Sequence, residues 1–166
     1  MDTRLNARLN ELYIATQQDT NVQGKRVLAV DDDVATLRLL LLVLNPMGIT
    51  VIPCQSVSQA MLVITENPPD LLISDIRMPR QSGHDLIRWV RSRPVSKGGM
   101  IPAIALSADV TIENIQKSMD TGFQQFLCKP FRFHHLIREV DRLLDQSSSQ
   151  VRLSHNCALQ LSHEVH

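Results

Sequence analysis

The sequence predicts a doubly wound α/β domain, a five-stranded parallel sheet with helices on both faces. Three observations lead there. Short apolar runs without polar alternation, such as Val27–Val30, recur along the chain, the pattern of strands covered on both faces. A helix-length segment closed by proline or glycine follows most of them. Five strand–helix units in succession require a parallel sheet, because right-handed crossovers carry the helices to both sides of it.

Residues 1–24 read as an N-terminal extension. They are polar apart from Leu5, Leu9, Leu12 and Tyr13, whose spacing suits a short amphipathic helix, with Asp19–Gly24 as a linker. The domain itself is expected over 25–145. Its first strand is Val27–Val30, and after Asp31-Asp32-Asp33 a helix runs to Leu44, stopped by Asn45-Pro46 and Gly48. Ile49–Cys54 reads as the second strand and Ser56–Asn67 as a helix ended by Pro68-Pro69. Leu71–Ser74 and His84–Ser92 form the third unit, closed by Arg93-Pro94. Ala103–Leu106 is a strand, and the helix Ile112–Thr121 stops at Gly122. Phe126–Cys128 and Phe133–Leu144 form the last unit. The tail, 146–166, is serine-rich and then alternates through Val151, Leu153, Cys157, Leu159 and Leu161; it is expected to be mostly disordered.

Proline orders the strands. Pro53 lies inside the second strand, where it is tolerated only at a sheet edge. Gln124 and Gln125 at the start of the fifth suit the other edge, and the first, third and fourth runs are the most apolar. The expected order is therefore 2-1-3-4-5, that of flavodoxin-like folds, with a crevice beyond the carboxyl ends of the strands.

Composition excludes several functions. Seventeen basic residues balance seventeen acidic ones across 166, so no basic excess points to nucleic acid. The longest apolar run, Leu39–Leu44, is too short to cross a bilayer, and the N-terminus lacks a signal-peptide layout. Cys54, Cys128 and Cys157 are too few and too scattered for a disulfide framework or a zinc site. A cytoplasmic location is expected.

Functional residues gather at the strand ends. The first strand ends in Asp31-Asp32, the third in Asp75, the fourth in Ser107 and the fifth in Lys129, and in the 2-1-3-4-5 order these converge. Three neighbouring carboxylates repel unless a cation joins them, and all-oxygen ligands suit Mg²⁺. A divalent ion beside a lysine and a hydroxyl is equipped to stabilise a transferring phosphoryl group, with Asp75 as nucleophile. Asp33 fits a helix N-cap better than a ligand.

The segments VLAVDDD (Val27–Asp33), DLLISDIRMPRQSG (Asp70–Gly83), IPAIALSAD (Ile101–Asp109) and FLCKPF (Phe126–Phe131) resemble the receiver domain of two-component response regulators. That resemblance implies Asp75 as phosphoacceptor, Asp31 and Asp32 as the acidic pair that binds Mg²⁺ with Asp75, and the backbone carbonyl of Arg77 completing the metal shell. It implies Ser107 as the switch hydroxyl that follows the phosphoryl group, Lys129 as the lysine that pairs with that group, and a cis Lys129-Pro130 peptide. The switch aromatic, often tyrosine in the family, is Phe126 here and offers no hydroxyl. The implied donor is a histidine kinase or a histidine-phosphotransfer protein, and the reader an unidentified downstream protein, since no output domain is read after the receiver. Membrane and nucleic-acid partners are not expected.

Rival readings fare worse. A flavodoxin needs a hydroxyl-rich loop where the acidic cluster stands, an aspartyl phosphatase a second acid where Arg77 stands, and a dinucleotide-binding domain a glycine-rich turn. A pseudo-receiver, acting only as an interaction module, has no need of all five residues. Arg77 and Asp109, each two positions beyond a site residue, overhang the crevice in this fold; either they meet across it as a salt bridge that modulates the access of water, or both point to solvent without a role. The first helix is apolar almost all round. Either neighbours enclose it, or its outer part docks a phosphotransfer helix, a second copy in a homodimer, or the Leu5–Leu9–Leu12 helix.

Overall fold

The computed structural model describes residues 22–146. The amphipathic helix expected near Leu5–Tyr13, and the tail beyond Gln146, lie outside the described residues. Five parallel strands run β1 (Arg26–Val30), β2 (Thr50–Cys54), β3 (Leu71–Asp75), β4 (Ala103–Ser107) and β5 (Gln125–Cys128). Their order is β2-β1-β3-β4-β5, as the sequence predicts. β3 and β4 are buried at every position, whereas β2 and β5 alternate with exposed or half-buried residues. Pro53 sits at the β2 edge in register with Ala29.

The helices are α1 (Val34–Leu44), α2 (Val57–Glu66), α3 (Gly83–Arg91), α4 (Ile112–Thr121) and α5 (133–146). Each of the first four begins at a residue whose side-chain oxygen accepts a backbone N–H: Asp33, Ser56, Ser82 and Thr111. Ser82 and Asp85 form a reciprocal capping box. Ser56 is thus a cap, one position before the helix it was expected to start. Short 3₁₀ turns follow α1 and α3, the first closed by Gly48 at φ 79°.

Two apolar layers flank the sheet. One packs Leu37, Leu40, Val43 and Leu44 of α1 with Leu136, Val140 and Leu144 of α5; the other packs Val57, Ala60 and Ile64 of α2 with Leu86, Ile87 and Val90 of α3. Most of the breadth of α1 is absorbed here. Leu39 and Leu41 also pack against the core, and Leu42, at 54% exposure, faces outward. Val22, read from the sequence as linker, is buried in the same layer, and Gly24 N–H donates to the Gly48 carbonyl at 2.9 Å. At the far end of α3, the Arg91 guanidinium donates to the carbonyls of Gly99, Ile101 and Gly122, tying the loops that lead into β4 and β5. Among the described residues, no helix is long and apolar enough to cross a membrane, and Cys54 and Cys128 are free thiols.

Candidate functional site

Parallel strands all deliver their carboxyl ends to one side, so the residues just past them become neighbours. Continued ladder bonds pin the positions: Asp31 N–H to the Cys54 carbonyl at 3.0 Å, Ile76 N–H to Leu106 at 3.0 Å, and Lys129 N–H to Ser107 at 2.8 Å. The result brings together Asp31, Asp32 and Asp75, whose carboxylate oxygens lie within 4.8 Å of one another. Asp31 and Asp75 are buried, and Asp32 is exposed.

Lys129 reaches into this cluster. Its Nζ lies 2.6 Å from Asp31 Oδ2 and 3.0 Å from Asp75 Oδ1. Asp31 also accepts the Asp33 N–H at 2.9 Å, so its second oxygen is held by the turn into α1. Burial pushes the Asp75 carboxyl above its usual range; Lys129 opposes that shift, and the charges of Asp31 and Asp32 reinforce it. Burial alone would depress the Lys129 ammonium, but its bonds to Asp31 and Asp75 outweigh that and hold it above its usual value. The Lys129–Pro130 peptide is cis.

Asp33 stands apart from the cluster as the N-cap of α1, accepting from Ala35 and Thr36 N–H. Ser107 is buried at the end of β4, and its Oγ accepts the Asp109 N–H at 3.1 Å. Phe126 is half-buried against the α2–α3 layer. Over the crevice, Arg77 Nη2 meets Asp109 Oδ2 at 2.5 Å, with the arginine side chain 74% exposed. Hydrogen bonds from Thr111, then the Arg77 charge, hold the Asp109 carboxyl below its usual range.

Two residues were not read from the sequence. Asn114 donates from Nδ2 to the Asp109 carbonyl at 2.8 Å and to Ser107 Oγ at 3.4 Å. Its spacing from the Thr111 cap places it in the first turn of α4, but nothing in that spacing aims its amide back at Ser107. Gly83 is the other: a Cβ there would lie 2.3 Å from the Asp75 carbonyl oxygen, so α3 can start against the end of β3 only without a side chain. The glycine itself is visible in the sequence, whereas the close approach depends on tertiary packing.

With this geometry in view, residues 27–141 match the family described as the response regulator receiver domain. The chain belongs to that family. A protein of Leptolyngbya boryana, described as an uncharacterized 14.6 kDa protein in the sodA1 3′ region, is 38% identical over 116 residues, covering 70% of this chain and 87% of that protein. The transcriptional regulatory protein PrrA of Mycobacterium tuberculosis is 31% identical over 131 residues, covering 79% of this chain and 54% of PrrA. The receiver chain thus spans about half the length of that relative. Among solved structures, the chemotaxis response regulator CheY4 of Vibrio cholerae is similar with a TM-score of 0.67 at 26% identity, covering 72% of this chain and 98% of CheY4.

Proposed function

We propose that this receiver accepts a phosphoryl group on Asp75 from a phosphohistidine of a kinase or phosphotransfer protein, with Mg²⁺ held by Asp31, Asp32, Asp75 and the backbone carbonyl of Arg77. The carrying observation is the cluster of three carboxylates, within 4.8 Å, set against one lysine. That donor set is all oxygen and leaves net negative charge, which fits a hard divalent cation. Bound there, Mg²⁺ supplies charge neutralisation and orientation for the phosphoryl oxygens.

The protein's own groups do the rest. A carboxylate oxygen of Asp75 attacks phosphorus in line with the donor nitrogen. The P–O bond forms as the P–N bond breaks, and the electron pair stays on the departing imidazole, which takes up a proton. Lys129, already within reach of Asp75, pairs with a phosphoryl oxygen. Ser107 Oγ accepts from Asp109 and Asn114, so its own proton is the one it offers to the phosphoryl group. As Ser107 moves, Phe126 fills the space behind it and the α4–β5–α5 face repacks for a downstream protein.

Incubation with Mg²⁺ and acetyl phosphate, followed by intact mass, tests this reading. Wild type should gain one phosphoryl group and Asp75→Asn none. A wild type that stays unmodified would leave an interaction module without phosphorylation as the better account.

A further inference from the structure

A hydrogen bond between His84 and Ser118 joins α3 to α4, and it continues within α4 to Asn114. Of the described residues of α4, Ser118 alone is buried, whereas α3 buries Leu86, Ile87 and Val90. The Ser118 hydroxyl donates to the Asn114 carbonyl at 2.7 Å, which uses its proton. His84 Nε2, 3.1 Å from Ser118 Oγ, must therefore be the donor in that contact. This fixes the ring hydrogen on Nε2. Burial, then the charges of Lys117 and Arg88, hold His84 below its usual pKa against the opposing pull of Asp85, which favours the neutral ring. The Phe123 ring meets His84 edge-on, with centroids 6.4 Å apart.

Both ends of this run are anchored in the site. His84 follows Gly83, whose N–H donates to the Ile76 carbonyl at 2.9 Å beside Asp75. Asn114, at the other end, holds the Asp109 carbonyl at 2.8 Å and Ser107 Oγ at 3.4 Å. We propose that His84 and Ser118 are positioning residues: their bond latches α4 to α3 and, through Asn114, holds the Ser107 hydroxyl in its resting place. This rests on Ser107 being the group that meets the phosphoryl oxygens. The 3.4 Å contact is long for a hydrogen bond, so it yields first when Ser107 turns. A helix with so little apolar burial is the element free to follow. Weakening the latch therefore favours the phosphorylated arrangement.

The test uses the full chain and four variants. His84→Leu removes the donor at similar volume, Ser118→Ala removes the acceptor, the double variant removes both, and His84→Gln keeps an N–H near the Nε2 position. Hydrogen exchange without phosphodonor reports the hold on α4, and intact mass with Mg²⁺ and acetyl phosphate reports the phosphorylation rate. Exchange in 112–121 should quicken in His84→Leu and Ser118→Ala. Phosphorylation should quicken by about 2- to 12-fold in each, the range one hydrogen bond is worth. The double variant should gain nothing more, and His84→Gln should restore both readings. Unchanged or slower phosphorylation, additive effects in the double, or failure of glutamine to restore would overturn the proposal. A wild type that takes no phosphoryl group would overturn the proposed function instead, and the exchange pattern would still decide whether the latch exists.

Discussion

Replacing Asp75 by asparagine is expected to stabilise the metal-free protein, even though it removes a buried ion pair. At an effective dielectric near 20, a like charge within 4.8 Å costs about 3.5 kcal/mol or more, and the exposed Asp32 contributes less than Asp31. Lys129 at 3.0 Å returns about 5.5 kcal/mol on the same scale. These terms nearly cancel, so the burial of the carboxylate decides the sign, as the upward shift of its pKa indicates. Asparagine retains an oxygen for Lys129, while Asp31 still holds that lysine at 2.6 Å. The expected gain is about 1 kcal/mol, or roughly 3–5 °C in Tm. A carboxyl whose folded pKa is raised costs stability above that pKa and stops costing it as the pH falls through it. The advantage of Asp75→Asn should therefore be largest at neutral pH and shrink as the pH falls through the raised pKa toward the ordinary carboxylate range. Mg²⁺ in hundredfold excess over its Kd should reverse the order by stabilising wild type by about 2.7 kcal/mol. Asp32→Ala should lose most of that rise. Thermal melts in chelator and in Mg²⁺ across this pH range measure all of it. An Asp75→Asn variant melting below wild type in chelator, or an advantage that grows on acidification, would show that the buried Asp75 carboxylate carries no net cost.

Two further substitutions probe the surroundings. On the reading that the pair screens the in-line approach of water, Arg77→Ala and Asp109→Ala should each lose the phosphoryl group about 3- to 10-fold faster once donor is removed, and the double variant should be no faster. Their melting temperatures should hardly move, since the pair is exposed; equal or slower decay would place the gate elsewhere. Gly83→Ala should cost about 1–3 kcal/mol through overpacking and should slow phosphorylation, because its Cβ lies 2.3 Å from the Asp75 carbonyl oxygen. Wild-type stability and rate in that variant would contradict the close approach.

The sheet was legible because its central strands open on unbroken apolar runs and Pro53 marks an edge. The converging side chains at the strand ends were legible for a related reason: parallel strands point the same way, so sequence position alone places Asp31, Asp32, Asp75, Ser107 and Lys129 on one side. How those groups divide their bonds was not. Lys129 lies 2.6 Å from Asp31 and 3.0 Å from Asp75, a division that strand order alone does not specify. The His84–Ser118 contact depends on the relative rotation of two helices 34 positions apart in sequence, which periodicity within either helix does not specify. The breadth of α1 left two readings open in the sequence, and packing decides between them for Leu39 and Leu41, which are partly buried against the core.

Asp75 itself is proposed to carry the phosphoryl group in an Mg²⁺-dependent reaction. An acyl phosphate is reduced by borohydride, which converts a phosphorylated aspartate to homoserine. Wild-type protein treated with Mg²⁺ and acetyl phosphate, then reduced and mapped by peptide mass spectrometry, should carry homoserine at position 75, and the signal should vanish when Mg²⁺ is chelated. Homoserine at another aspartate, or none at position 75 with Mg²⁺ present, would overturn the assignment of Asp75 as phosphoacceptor.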